Sequence, residues 1–269
     1  MTTPTVDRAG ASLYAVAADV PRRNRRAADA LLAGPGLAVG AGVLVVLLLL
    51  WAVLPAVVIA LVLGALTVLA LRRAAGSAVL SRLPAVSADE ARHARLANVV
   101  DGLCAAAGVA RPDLFIVDWP APNALVAGPD RRRASLVVTT GLLDGLSRIQ
   151  LEGVVAHELS HIRRDDVSLS AALAVTLAPI ARVVPRMAVR LARRLTGDRE
   201  ARADMAAVGL TRYPPGLAGA IDHIVASDDS VPLVSAAVDH LWVVPPPGAL
   251  FGPSDPGSTE ERLQTLSEL

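Results

Sequence analysis

Between Asp29 and Arg72 the chain runs for 42 positions without a charged residue. A single bilayer crossing takes about 20 apolar residues, so a run of this length suits two crossings better than one. The segment WAVLP, Trp51 to Pro55, falls near its middle and offers an interfacial aromatic followed by a residue that interrupts helices. The run therefore predicts a helical hairpin with spans near 33–52 and 55–72. Two buried helices of a soluble core are the alternative, but such helices rarely extend so far without a polar face. The run also starts too late and is too long for a cleavable signal peptide.

Charge at the flanks sets the expected orientation. Arg22, Arg23, Arg25 and Arg26 precede the hairpin, and Arg72 and Arg73 follow it. Arginines on both sides predict that both ends lie in the cytoplasm and that only the turn is outside. The chain is thus expected in the cytoplasmic membrane as a multi-pass protein, with the lipid bilayer as a partner and the remainder in the cytosol. The one cysteine, Cys104, fits a reducing compartment and excludes an intramolecular disulfide framework or a cysteine-based zinc finger. It lies in the apolar run LCAAAGVA and reads as a small core residue rather than a nucleophile. The formal net charge of +1 gives no electrostatic case for a nucleic-acid partner.

Beyond the hairpin the pattern is mixed. Ser87 to Ala107 has helical periodicity, with Ser87 as N-cap and Glu90 three residues later. Three strands are expected at Leu114–Trp119, Asn123–Gly128 and Ser135–Thr140, the last two joined by the polar turn GPDRRR. A helix of about 14 residues is expected from Arg148. Ser168 to Val184 carries no charge until Arg182, and is short for a full span; it suits a surface-lying or partly inserted helix as well as a third crossing. Met187 to Leu195, MAVRLARRL, is basic and amphipathic, fit either for anionic lipid or for a solvated face. Pro245 to Pro256 reads as loop, and TEERLQTLSEL as a final helix capped by Ser258 or Thr259.

The segment HELSH, His157 to His161, carries the chemistry. Histidines four apart on a helix project from one face and can grip one cation, and Glu158 beside them is placed to act on a water as general base. The HExxH spacing is a metalloprotease motif, and the apolar flanks of VVAHELSHI suit a helix packed into a core. A catalytic zinc needs a third protein ligand and one open position. His93, His223 and His240 are the remaining histidines, and none follows His161 at the short spacing of a three-histidine site. Downstream, GDREARADMAAVGL sets Glu200 and Asp204 four apart on another helix. One of these carboxylates can ligate the metal while the other hydrogen-bonds a ligand histidine.

At these residues the chain resembles a known family, the HtpX-like zinc metalloproteases, gluzincins related to the CAAX prenyl proteases. The resemblance covers roughly residues 80–215. Its motifs are PNALVAG (Pro122 to Gly128), VVTTGLLDGL (Val137 to Leu146), LEGVVAHELSHIRRDDV (Leu151 to Val167) and REARAD (Arg199 to Asp204). Asp166 falls where the family has an Asp.

The resemblance implies an α+β, mostly helical fold: an N-terminal transmembrane helical hairpin plus a zincin-like metalloprotease domain with a small β-sheet. It implies one Zn²⁺ per chain held by His157, His161 and Glu200, with Asp204 supporting Glu200. Glu158 is then the catalytic general base, and Asn123 and Ala124 lie on an edge strand that binds substrate. The expected organisation is a cytosolic tail at 1–29, the hairpin at 30–73 and the metalloprotease domain at 80–269, with 168–195 a candidate membrane-associated helix. The expected substrates are misfolded or membrane-associated polypeptides, with no nucleic acid involved. His223, His240 and Arg262 are candidates for stabilising the oxyanion, each with a structural role as the alternative. A non-catalytic scaffold that keeps the zinc site, or a hydrolase of prenylated peptides, are the rival readings.

Two departures from the family pattern stand out. Arg164 and Asp165 occupy positions where Asn-Arg is common, and Asp255, Pro256 and Arg262 stand where the family commonly has His-Pro-Pro followed by Arg.

Overall fold

The computed structural model describes residues 8–49, 53–77, 79–196, 198–235, 238–250 and 257–269. Helix α1 (Arg8–Leu49) and helix α2 (Val53–Ser77) form the hairpin. The expected tail is largely helical, because Ala-rich sequence from Arg8 onward carries α1 straight into the apolar run. Within α1, Pro21–Leu48 is long enough to cross a bilayer and contains an 18-residue stretch with a mean hydropathy of 2.3. The corresponding stretch of α2, Val57–Leu71, is shorter. Trp51 lies outside the described residues.

Glycines set the spacing of the two helices. A Cβ on Gly36 would stand 2.7 Å from the Gly64 carbonyl oxygen, and one on Gly64 would stand 2.9 Å from that of Gly36. The backbones meet closely because neither position carries a side chain, as is common between helices in lipid. Leu37 and Leu61 point outward, 71% and 67% exposed.

A four-stranded mixed sheet follows. Strand β1 (Ala85–Ser87) pairs antiparallel with β2 (Asp113–Val117), β2 lies parallel to β4 (Ser135–Thr139), and β4 pairs antiparallel with β3 (Ala124–Ala127). The GPDRRR turn does close the β3–β4 hairpin. The expected cap at Ser87 is overturned: its strand pairs with β2, and the bond from Ala88 N–H to the Leu114 carbonyl extends that pairing. Helix α3 (Ala94–Ala107) starts later, after a turn in which Asp89 accepts from the Ala91 N–H at 3.0 Å. Long-range strand pairing here outweighed a local capping pattern.

Helix α4 (Thr140–Gly145) leads into α5 (Arg148–Arg163), which carries HELSH. Ser147 and Gln150 form a reciprocal capping box at the start of α5. From Gly153 to Ile162 every residue of α5 is buried, so the helix runs through the core rather than along its surface. It packs against α3, against β3, and against α8 (Arg199–Thr211) and α9 (Pro214–Val225).

Between α5 and α8 lie α6 (Asp166–Ala181) and α7 (Pro185–Thr196). Leu169, Ala172, Leu173 and Leu177 of α6 are buried in a cluster with Ala28 and Leu32 of α1, against which Val68 and Leu71 of α2 also pack. Residues 168–177 of the uncharged segment are therefore covered by protein at the base of the hairpin, while Ile180, Val183 and Val184 are exposed. The chain ends in α10 (Gly257–Ser267), which packs on α9. Asp255 and Pro256 lie outside the described residues, as does the Ser258 side chain.

Candidate metal centre

His157 and His161 stand one turn apart on α5, and their Nε2 atoms are 3.3 Å from each other. Helix α8 brings Glu200 Oε2 to 3.4 Å from His157 Nε2 and 3.7 Å from His161 Nε2. Tetrahedral zinc with bonds of about 2.0–2.1 Å holds its ligand atoms about 3.3 Å apart, so this triangle has the size to hold such an ion. Both imidazoles are buried, whereas the Glu200 side chain is 31% exposed. Beside it runs a narrow cleft lined by Val126, Glu158, His161, Asp166, Arg199 and Leu241.

The outer nitrogens of both rings meet carboxylates. His157 Nδ1 lies 2.7 Å from Asp204 Oδ1, off the line of a straight hydrogen bond. Arg262 of α10 grips Asp204 with two bonds, Nε to Oδ2 at 2.7 Å and Nη2 to Oδ1 at 2.8 Å, and donates a third to the Val243 carbonyl. His161 Nδ1 is 2.7 Å from Asp166 Oδ2. Asp166 also accepts from Arg164 Nη2 at 2.6 Å and from the Asn24 side chain of α1. A carboxylate at Nδ1 favours the tautomer whose Nε2 lone pair faces the triangle.

Asp204 therefore backs His157, not Glu200 as the resemblance implied. What touches Glu200 is Arg199, whose Nε donates to Oε1 at 2.9 Å. Arg199 is itself pinned by Ser170 Oγ and the His240 carbonyl.

Charge follows from these contacts. Burial would lower the pKa of His157, but the carboxylates of Asp204 and Glu200 beside it outweigh that and push the ring up to about 9. Burial also works against the ionised carboxylates, yet Arg262 and His157 hold Asp204 below its ordinary value, and His161 and Arg164 do the same for Asp166. Glu200 is held well below the usual range, burial being overcome by His161 and His157. Glu158 goes the other way. It is 1% exposed, burial raises its pKa, and its Oε2 has no hydrogen-bond partner among the described residues. A buried carboxylate with a raised pKa in the cleft beside a cation-sized triangle is poised to take up a proton.

Asn123 and Ala124 lie on the β3 edge, but this chain already uses their polar groups. Asn123 Nδ2 donates to the Val244 carbonyl at 2.7 Å, and the Ala124 carbonyl accepts from the Val243 N–H at 2.9 Å. Arg262 is spent on Asp204, and His223 packs against Gly145. The sequence pattern alone gives no role to Asp166 or Asn24 and does not reveal the clamp formed by Arg262. Asp166 follows His161 by five residues, off the shared helix face; it swings back only because Asp165 takes a left-handed conformation, φ 59°. The Asp165 carboxylate, bonded to Arg25 Nε, Arg131 N–H and Ser168 Oγ, holds that break.

Two histidines flanking a buried glutamate, with a third carboxylate from a second helix, define the site of an HExxH-type metallopeptidase. Residues 90–269 match the family model described as Peptidase family M48. The chain belongs to that family, and is by that membership a metalloprotease. It is 35% identical to a Protease HtpX homolog of Dictyoglomus turgidum (strain DSM 6724 / Z-1310) over 64% of this chain and 68% of the relative. A Protease HtpX homolog of Dictyoglomus thermophilum is 36% identical over 56% and 60%, and one of Caldanaerobacter subterraneus subsp. tengcongensis is 30% identical over 71% and 77%. No solved structure matches the chain. The expected α+β, mostly helical class and the HtpX-like resemblance are borne out.

Proposed function

We propose that this chain is a zinc-dependent endopeptidase, anchored in the cytoplasmic membrane by two crossings, that cuts misfolded or membrane-associated polypeptides on the cytosolic side. One observation carries the proposal: two imidazole nitrogens and a carboxylate oxygen form a cation-sized triangle, and the buried Glu158 shares a cleft with His161 of that triangle. His157 Nε2, His161 Nε2 and Glu200 Oε2 would hold one Zn²⁺. Zinc, when bound, lowers the pKa of water and polarises a carbonyl.

The chain's own residues supply the rest. The Glu158 carboxylate takes a proton from the attacking water and returns it to the leaving amine. Burial raises its pKa, which makes it a stronger base toward the water's proton. Asp204 and Asp166 hold the two rings in orientation.

An extended substrate pairs with the edge of β3 that faces away from β4. Asn123 bonds across to Thr139, so alternation along the antiparallel pair turns Ala124 and Val126 outward. Val243 already occupies Ala124, which leaves the N–H and carbonyl of Val126, in the cleft with Glu158, as the pairing site. Asn123 and Ala124 act by fixing this edge. Backbone pairing favours unfolded or flexible segments over particular side chains. The cytosolic orientation is supported by the arginines on both flanks of the hairpin.

Digestion of an unfolded protein such as casein by the full chain in lipid vesicles with Zn²⁺, beside Glu158→Gln, tests this reading. The variant is expected to retain metal and lose about 10²–10⁴-fold in rate. Equal rates in the two proteins would sink the mechanism.

A further inference from the structure

From Val167 to Gly197 the chain carries five arginines, Arg182, Arg186, Arg190, Arg193 and Arg194, and no carboxylate. All five are exposed. Helix α7 sorts its residues into rows four apart. Ala188 and Ala192 are buried, in the cluster that contains α6 and the base of the hairpin. The next row, Met187 and Leu191, is 55% and 39% exposed, and Val183 just before the helix is 82% exposed. The row beyond is Arg186, Arg190 and Arg194. An apolar stripe thus lies open between a face packed on protein and a face of guanidinium groups.

We propose that this stripe rests on the anionic lipid of the same membrane that α1 and α2 cross, with the arginine row on the headgroups. The proposal depends on the hairpin being inserted. Position on the molecule favours lipid over a protein occupant: α7 shares its buried cluster with Leu32 of α1, and Val68 and Leu71 of α2 pack against that cluster at the lower end of the apolar run. A helix at that level, apolar toward the bilayer and basic beside it, matches the build of an interfacial helix. Resting α7 there also holds α6, and with it Asp166, at a set height above the bilayer.

The test uses the full chain with Cys104→Ala and single labelled cysteines at Met187, Leu191 or, as a control in the hairpin, Leu61. Each is reconstituted in phosphatidylcholine vesicles with or without phosphatidylglycerol, and a fluorophore is exposed to brominated acyl chains or to aqueous iodide. In anionic vesicles the labels at 187 and 191 are expected to be quenched by bromolipid and shielded from iodide. Arg190→Gln with Arg194→Gln should lower the ratio of lipid-seated to solvent-exposed label about fivefold per charge removed. Iodide quenching at 187 and 191 while the Leu61 label remains lipid-quenched overturns the proposal and leaves the anchor intact. Shielding from both reagents, which means a polypeptide covers the stripe, also overturns it, as does equal lipid quenching without phosphatidylglycerol. Loss of lipid quenching at Leu61 would remove the anchor reading itself.

Discussion

His157 and His161 sit one turn apart on the same helix, yet opposite parts of the molecule hold them. His157 leans on Asp204, which Arg262 of the last helix grips with two bonds. His161 leans on Asp166, reached by Arg164 and by Asn24 from the first helix. One ring is oriented from the C-terminal end of the metalloprotease domain and the other from the base of the hairpin. Both arms obey the same rule: a buried carboxylate persists only where a cation or donor compensates its lost hydration. What differs is the source of that compensation: Arg262 of α10 for one ring, Arg164 and Asn24 for the other.

The largest expected effect comes from the group the arms share. Glu200→Ala should remove bound zinc and with it activity, read as metal per chain after dialysis against a weak chelator; undiminished metal would assign the third ligand elsewhere. Next, Arg262→Met breaks the His157 arm alone and strands Asp204, at a cost of about 3–5 kcal/mol in unfolding free energy. Its zinc affinity in chelator competition should fall by about 10–100-fold.

Asn24→Ala tests the other arm, where Arg164 still holds Asp166. About 0.5–1.5 kcal/mol of stability should go, with a smaller loss of affinity than for Arg262→Met. If Asn24→Ala proves the more damaging of the two, the hairpin rather than the C-terminal helix dominates the site.

The smallest effect is one of pH. Metal-free His157 has its pKa raised to about 9, above the ordinary value of about 6.5. Its protonated form therefore contributes stability that is fully present below about pH 6.5 and lost as the pH rises through about 9. The Tm of the metal-free protein should fall across that window, while that of the zinc-loaded protein stays flatter because metal has replaced the proton. A metal-free Tm that does not change would remove Asp204 from its part in charging His157.

Much of this molecule was legible locally. The 42-position uncharged run stated the hairpin, since few other folds accept so long a stretch without charge. The i, i+4 spacing of HELSH stated two ligands on one face, because helix geometry alone decides it. Even the carboxylate pair four apart on α8 was visible, but spacing is silent about which ring each carboxylate meets. That assignment came from how α8 crosses α5, which turns Asp204 to His157 and lays Glu200 between the two Nε2 atoms. Asp166, Asn24 and Arg262 were beyond local reading for the same reason. Their contacts depend on a left-handed break at Asp165 and on bonds spanning 142 and 58 residues of sequence. Periodicity determines which residues share a face; only the packed chain decides what that face meets.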